Sequence, residues 1–152
     1  MQKIVIIIFV VLLLIYLSTK LFASKSSPIR SINQNIKDQT FTLEVADNNY
    51  LLAKGLSKRQ SLCANCGMIF IFKKEMTQTF WMKDTLIPLD IIFINSSGVI
   101  TNIVTAKPEP NKSDFQLTLY QSSAPAKFVI ELNADTSKNI NLKSGDKIDL
   151  NL

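Results

Sequence analysis

The chain has 152 residues, which is enough for one domain of ordinary size plus a short appendage and excludes a multidomain architecture. Residues 1–38 contribute +4 of the net charge of +5, so residues 39–152 carry only +1 and lack the basic surface that nucleic-acid binding needs. The chain contains no His, which excludes nucleophiles activated by His, as in Ser-His-Asp and Cys-His sites.

The first predicted element is an apolar segment near the N-terminus. Residues 4–19 read IVIIIFVVLLLIYLST, with Lys3 and Lys20 on either side. Such a segment is either a cleaved export signal or a retained membrane anchor. Leu21-Phe22-Ala23 is a poor cleavage site, which favours a signal anchor, a transmembrane helix over residues 1–23.

The charges around this segment give two opposing indications of its orientation. Lys20, Lys25 and Arg30 follow the segment, and the positive-inside rule alone would not place them outside the cytoplasm. The short charged region before it is typical of export signals. We favour export, so the sequence predicts a protein anchored in the membrane with its domain on the extracytoplasmic side, periplasmic or extracellular.

The composition of residues 24–39 predicts a flexible tether, because this segment is rich in Ser, Asn, Lys and Gln and contains too few apolar residues to form a core. Residues 40–152 predict a single β-rich domain. A short helix is expected from Asn49 to Ala53, capped by Asp47 and ended by Gly55. The expected strands cover residues 41–45, 67–72, 79–82, 89–94, 99–104, 117–120, 127–132 and 147–150.

The clearest local signal is a hairpin between the strands at 89–94 and 99–104. Asn95-Ser96-Ser97-Gly98 separates them, and Gly98 is expected to take the left-handed position of the turn. The run at 67–72 is apolar on both faces, which indicates a central strand. Short strands with one or two brief helices predict an α+β, β-rich fold with a compact, antiparallel and partly closed, barrel-like sheet.

Several motifs resemble those of one bacterial and archaeal family, the domain of unknown function 192. They are Gly55-Leu56, Arg59, Gly67-Met68-Ile69-Phe70-Ile71-Phe72, Phe80-Trp81-Met82-Lys83-Asp84-Thr85, Ile87-Pro88-Leu89-Asp90-Ile91-Ile92-Phe93, Tyr120, Pro125-Ala126 and Val129-Ile130-Glu131-Leu132. The resemblance covers essentially all of residues 40–150. It implies a compact β-rich fold, often with an export signal, and no agreed activity. The chain departs from the family pattern at Asp135, where Gly is usual.

The first candidate site combines Trp81, Lys83 and Asp84, because an aromatic ring beside a Lys–Asp pair can grip a polar ligand such as a sugar. Arg59 is a further candidate, since it can clamp a carboxylate or phosphate. The alternatives are that Trp81 belongs to the core and that Arg59 is exposed or is the partner of Asp90 or Glu131.

The second candidate is a pair of carboxyl groups inside apolar strands, Asp90 and Glu131. If they converge, one can hold a raised pKa and act as a general acid. The structural alternative, which we favour, is that each is paired with Lys83 or Arg59 or bonded to loop amides.

Cys63 and Cys66 form the third candidate. A closed Cys/His metal site is excluded because the chain has no His and no other Cys, and no cofactor is expected. Outside the cytoplasm the expected state is a disulfide, and we favour a structural staple over a redox couple.

Two functional hypotheses follow. The favoured one is a non-catalytic accessory module that binds a small polar ligand, such as an envelope saccharide, or an envelope protein, with residues 4–19 in the membrane and no nucleic-acid partner. The alternative is a carboxylate-dependent hydrolase or lyase that uses Asp90 and Glu131, whose carboxyl groups would then face each other across one cleft.

Overall fold

A computed structural model describes residues 29–152, together with positions 8, 11–13 and 16. Within these residues, no helix is long and apolar enough to cross a membrane. Apart from those five positions, the predicted anchor over residues 1–23 lies outside the described residues, as do residues 24–28 of the predicted tether.

One six-stranded sheet forms the centre of the domain, in the order β1-β2-β3-β8-β5-β6. A two-stranded ribbon pairs β4 with β7. The strands are β1 (Ser31–Ile36), β2 (Gln39–Ala46), β3 (Cys66–Met76), β4 (Thr79–Phe80), β5 (Leu89–Ile94), β6 (Ile100–Ala106), β7 (Tyr120–Gln121) and β8 (Ala126–Asn133). The helices are α1 (Asn49–Lys54) and α2 (Thr136–Asn139), with a 3-10 turn at Asp114–Gln116.

The strands with the strongest apolar patterns are where the sequence predicts them. β3 lies inside the sheet between β2 and β8, and β5 pairs with β6 as the expected hairpin. Gly98 has a φ of 82°, the left-handed conformation expected for this turn. The side chain of Asn95 closes the turn by accepting hydrogen bonds from the amides of Ser97 and Val99.

The prediction of an antiparallel, partly closed sheet is wrong in both respects, although the β-rich α+β class is confirmed. β1 and β6 are the two edges of an open sheet, and β2 pairs with β3 in parallel. A parallel pair needs a crossover connection of a dozen or more residues. Residues 47–65, which contain α1, make that crossover between the end of β2 and the start of β3.

The predicted tether extends too far toward the domain, because residues 31–36 form β1 and pair with β2. The composition concealed this strand, since one of its inward-facing residues is polar. Gln34 is fully buried, and its side chain donates to the carbonyl of Asp149 and accepts from the amide of Asn151. Those bonds replace the apolar contact that the alternation of a strand leads one to expect.

The predicted final strand at 147–150 is reduced to an isolated bridge between Val99 and Lys147. This segment instead crosses one face of the sheet, where Ile148 is buried and its amide donates to the carbonyl of Gly98. The residues that follow α2 therefore act as a cover for the sheet.

The sheet is buried on both faces, which gives the domain two apolar cores. One face, here called the C-terminal face, is covered by the segment after α2, where Leu142 and Ile148 pack over residues such as Ile92 and Ile130. On the opposite face, here called the α1 face, the chain from α1 to β4 packs over the sheet. The α1 face includes Ala46, Leu56, Met68, Phe70, Met82, Ile91, Phe93 and Val129.

Candidate functional site

Glu131 occupies the centre of the α1 face. In β8 it lies opposite Met68 of β3 on one side and Ile91 of β5 on the other, both buried and apolar. Its side chain is 5% exposed, and its Oε2 has no hydrogen-bond partner among the described residues. Burial raises the pKa of Glu131 to about 8, so the carboxyl group is mainly protonated at neutral pH.

A pocket of about 180 Å³ opens above this carboxyl group. The end of α1, strand β3, strand β4 and the loop after β4 form its walls. Its lining is Leu52, Ala53, Lys54, Gly55, Leu56, Phe70, Phe72, Thr79, Phe80, Trp81, Lys83, Thr85 and Glu131. Glu131 is thus a buried polar group that faces a cavity rather than a partner.

Gly55 leaves the approach to Glu131 open. It ends α1 as the sequence predicts, with a φ of 47°. A Cβ atom at this position would lie 3.3 Å from Cζ of Phe70 and 3.9 Å from Oε2 of Glu131. A larger residue would therefore crowd the space between the end of the helix and the carboxyl group.

Phe80 forms the rigid aromatic wall of the pocket. Its ring meets Phe70, Phe93 and Phe72 edge to face, with ring centres 5.0, 5.8 and 6.3 Å apart. Such edge-to-face contacts stabilise the ring arrangement beyond simple burial. The pairing of β4 with β7 holds Phe80 in this position.

Two of the predicted ligand-binding residues lie at the mouth of the pocket. Trp81 is 46% exposed, so the alternative that it belongs to the core is wrong. Nζ of Lys83 lies 5.6 Å from the centre of the Trp81 ring and also pairs with Asp114. These contacts hold an aromatic surface and a positive charge side by side.

The other two predicted ligand-binding residues do not line this pocket. Asp84 borders a neighbouring cavity, and its carbonyl accepts from the amide of Lys58. Arg59 makes a bidentate ion pair with Glu44, in which Nη1 of Arg59 lies 2.7 Å from Oε1 of Glu44. Arg59 therefore holds β2 to the crossover, and the alternative that it pairs with Asp90 or Glu131 is wrong.

Asp90 faces the other side of the sheet. In β5 it pairs with Leu132, one position along from Glu131, so the two carboxyl groups point to opposite faces. Asp90 accepts hydrogen bonds from Oγ1 of Thr105 at 2.7 Å and from the amides of Ser137 and Asp135 at 2.8 and 3.3 Å. A mechanism that needs both carboxyl groups across one cleft is incompatible with this arrangement.

Asp135 keeps the backbone conformation that Gly would adopt. Its φ is 65°, in the left-handed region that Asp tolerates better than most residues. The departure from the family pattern therefore leaves the local backbone in a Gly-like conformation.

Cys63 and Cys66 form a disulfide, with Cα atoms 5.1 Å apart. The pair closes the loop just before β3, and the side chain of Asn133 donates to the carbonyl of Cys63 at 2.9 Å. The loop is therefore fixed both covalently and to the end of β8. Neither Cys lines the Glu131 pocket.

Replacing both Cys63 and Cys66 by Ser is expected to destabilise the domain, because the unfolded chain is no longer cross-linked. The expected loss is only about 2 kcal/mol, since the loop that the disulfide closes is short. Urea unfolding of the oxidised protein and the double variant measures this difference. Ligand binding at the Glu131 pocket should be unchanged where both proteins are folded. An unchanged unfolding midpoint would contradict the role of a staple.

The sequence missed the rest of the pocket. Phe70 and Phe80 lie in predicted strands and Lys54 lies just beyond the predicted helix. None of the three is predicted to belong to a site, because they come from three separate segments that only the fold brings together. The one available signal was Glu131 itself, an ionisable residue within an otherwise apolar strand.

Comparison with known proteins agrees with this fold. A family model, DUF192, described as "Uncharacterized ACR", matches residues 30–150. A Sinorhizobium meliloti 1021 protein, named as a proposed transcription regulator, is 28% identical with a TM-score of 0.70, over 84% of this chain and 97% of that chain. A protein of unknown function from Novosphingobium aromaticivorans DSM 12444 is 29% identical with a TM-score of 0.69, over 84% and 90%. No curated protein matches the chain.

The family model covers all eight strands of the described domain and well over half of the chain. The sequence motifs, the fold and the family model agree, and the chain belongs to the family of domain of unknown function 192.

Proposed function

We propose that this domain is a non-catalytic binding module whose site is the Glu131 pocket, and that its ligand is a small polar molecule of the saccharide type. The observation that carries the proposal is that Glu131 lines the pocket while its buried Oε2 lacks a partner among the described residues. Buried polar groups are nearly always hydrogen-bonded, so an unpartnered carboxyl group beside a pocket favours a ligand that completes its bonding.

The size and chemistry of the pocket support a small ligand. Its volume of about 180 Å³ is below that of pockets for drug-sized molecules, which favours a single ring or the end of a longer chain. Trp81 is 46% exposed at the mouth, with Nζ of Lys83 over its ring, and sugars stack their apolar faces on aromatic rings of this kind. Lys83 at the mouth and Glu131 at the buried end of the pocket add hydrogen-bonding groups.

The proposal places the domain outside the cytoplasm, held by residues 4–19 in a membrane. Support comes from the uninterrupted apolar segment and its flanking Lys residues. A disulfide at Cys63 and Cys66 is typical of oxidising compartments. Regulation by binding DNA is disfavoured, because residues 39–152 carry a net charge of only +1.

Replacing Trp81 by Ala is expected to weaken monosaccharide binding about fivefold to tenfold, because the stacking surface is lost. Calorimetry on the full-length protein in detergent measures the change. Phe115→Ala is the matched control, since Phe115 is a fully exposed aromatic residue outside the pocket.

A second variant tests the cavity without touching the core. Ala53 is exposed and lines the pocket, so Ala53→Tyr should block the mouth and abolish binding. Equal binding by Ala53→Tyr, Trp81→Ala and the unmodified protein would refute the site.

A further inference from the structure

We infer that the ligand of the Glu131 pocket is an acidic sugar, which directs a ring oxygen or hydroxyl oxygen to Glu131 and its anionic group to Lys54 and Lys83. This inference rests on the proposed function and specifies the charge of the ligand. It follows from which charged groups line the pocket and where they lie.

The charges around the pocket are unbalanced. Among the described lining residues, Lys54 and Lys83 are the cations and Glu131 is the one carboxyl group. Lys54 lies at the end of α1, beside Gly55, and Lys83 lies in the loop after β4. Both are on the rim, whereas Glu131 is at the buried end, so a ligand meets two positive charges before it reaches the carboxyl group.

The two Lys residues differ in their partners: Lys54 has a neutral one and keeps its charge at the rim, whereas Lys83 is in an ion pair. Nζ of Lys54 lies over the ring of Tyr50, 5.6 Å from its centre, which does not neutralise the charge. Lys83 pairs with Asp114, whose carboxyl group borders the neighbouring cavity rather than this one. An anionic group at the mouth would contact Lys54 directly and share Lys83 with Asp114.

At the buried end, the carboxyl group is suited to an oxygen acceptor. A protonated carboxyl group donates one hydrogen bond and retains acceptor capacity, which matches a hydroxyl or ether oxygen of a sugar ring. A cationic ligand would have to pass Lys54 and Lys83, whose positive charges repel it. The arrangement therefore selects against amines.

The binding of such a ligand should weaken as Glu131 loses its proton. The charged and hydroxyl side chains that line the pocket with Glu131 are Lys54 from α1, Lys83 and Thr85 from the loop, and Thr79 from β4. Glu44, which is paired with Arg59, lies opposite Met68 in β2, so Met68 separates this ion pair from Glu131 across the sheet. Burial raises the pKa of Glu131 to about 8, so affinity is expected to fall as pH rises through this value.

Three sugars with one ring and different charges test the inference: D-glucuronate, D-glucose and D-glucosamine. Each is titrated into the full-length protein at about pH 6.5, where the sugar amine is charged. Trp81 is the only Trp in the chain, so its fluorescence reports on the mouth of the pocket. We expect D-glucuronate to bind at least about tenfold more tightly than D-glucose, and D-glucosamine to bind most weakly.

Variants assign the preference to residues. The double variant Lys54→Gln with Lys83→Gln should reduce the affinity for D-glucuronate to that for D-glucose. Lys74 is exposed and lies outside the pocket, so Lys74→Gln should change the affinity for neither sugar. The Gln side chain in Glu131→Gln still donates a hydrogen bond and does not ionise, so this variant should bind D-glucuronate equally well at pH 6.5 and 9. The unmodified protein should lose about tenfold of its affinity over that range.

The outcomes separate the two proposals. Equal binding of the three sugars, or a preference for D-glucosamine, would overturn the inference and leave the proposed function standing. Failure of all three to bind at about 10 mM, where even millimolar affinities are visible, would overturn the proposed function and this inference with it.

Discussion

Replacing Glu131 by Gln is expected to stabilise the domain by roughly 3–5 kcal/mol between pH 7 and pH 9, and to change its stability little below about pH 4. Burial raises the pKa of Glu131 from 4.5 to about 8. In the unfolded chain the group ionises near its ordinary pKa, whereas in the folded domain it stays protonated until about pH 8. The folded state therefore loses stability as pH rises from about 4.5 to about 8, and Gln, which cannot ionise, removes that loss.

Urea unfolding over a series of pH values, followed by Trp81 fluorescence, measures this difference. Asp149→Asn is the matched control, because its side chain is 92% exposed and its replacement should leave the pH dependence unchanged. A difference between Glu131→Gln and the unmodified protein that does not vary with pH would show that Glu131 has a partner or is ionised in the folded state.

Replacing Asp90 by Ala is expected to destabilise the domain by about 3 kcal/mol. The change removes three hydrogen bonds and leaves the buried amide of Ser137 and the amide of Asp135 without their acceptor. These amides begin α2, which leads into the segment that covers the C-terminal face. The variant should therefore loosen that cover as well as lower the global stability.

Chemical denaturation gives the loss of stability, and hydrogen exchange of the α2 amides shows where the structure loosens. Thr105→Val is the matched control, because it removes one of the three bonds and should cost only about 1 kcal/mol. Loss of ligand binding by Asp90→Ala without loss of stability would instead indicate a functional role for Asp90.

The parts of the fold that the sequence predicted are those whose residues alternate clearly or form a continuous apolar run. β2, β3, β8 and the β5–β6 hairpin all have apolar residues where the sheet buries them. β1 was missed because Gln34 takes a buried position and satisfies its polar atoms through the C-terminal segment. Composition alone does not distinguish such a strand from a tether.

Register explains why the alternative in which Asp90 and Glu131 converge is wrong. Asp90 and Glu131 both lie within apolar strands that are neighbours in the sheet. A shift of one position sends a side chain to the other face. Asp90 pairs with Leu132 rather than Glu131, and the sequence does not contain that alignment.

The candidate site was predicted in part. Trp81 and Lys83 were identified from their own chemistry, and the structure places both at the mouth of the Glu131 pocket. The role of Lys54 and Gly55 could not be predicted, because it depends on how the crossover between β2 and β3 carries α1 over the sheet. Long-range topology of this kind leaves no local pattern.

The most direct test of the central claim is a ¹³C NMR titration of the Glu131 side-chain carboxyl group, without and with D-glucuronate. We expect a protonated group at neutral pH with a midpoint near 8, and a higher midpoint when the sugar is bound, because an acceptor stabilises the protonated form. A midpoint near the ordinary value of 4.5, or one that saturating sugar does not move, would contradict the account.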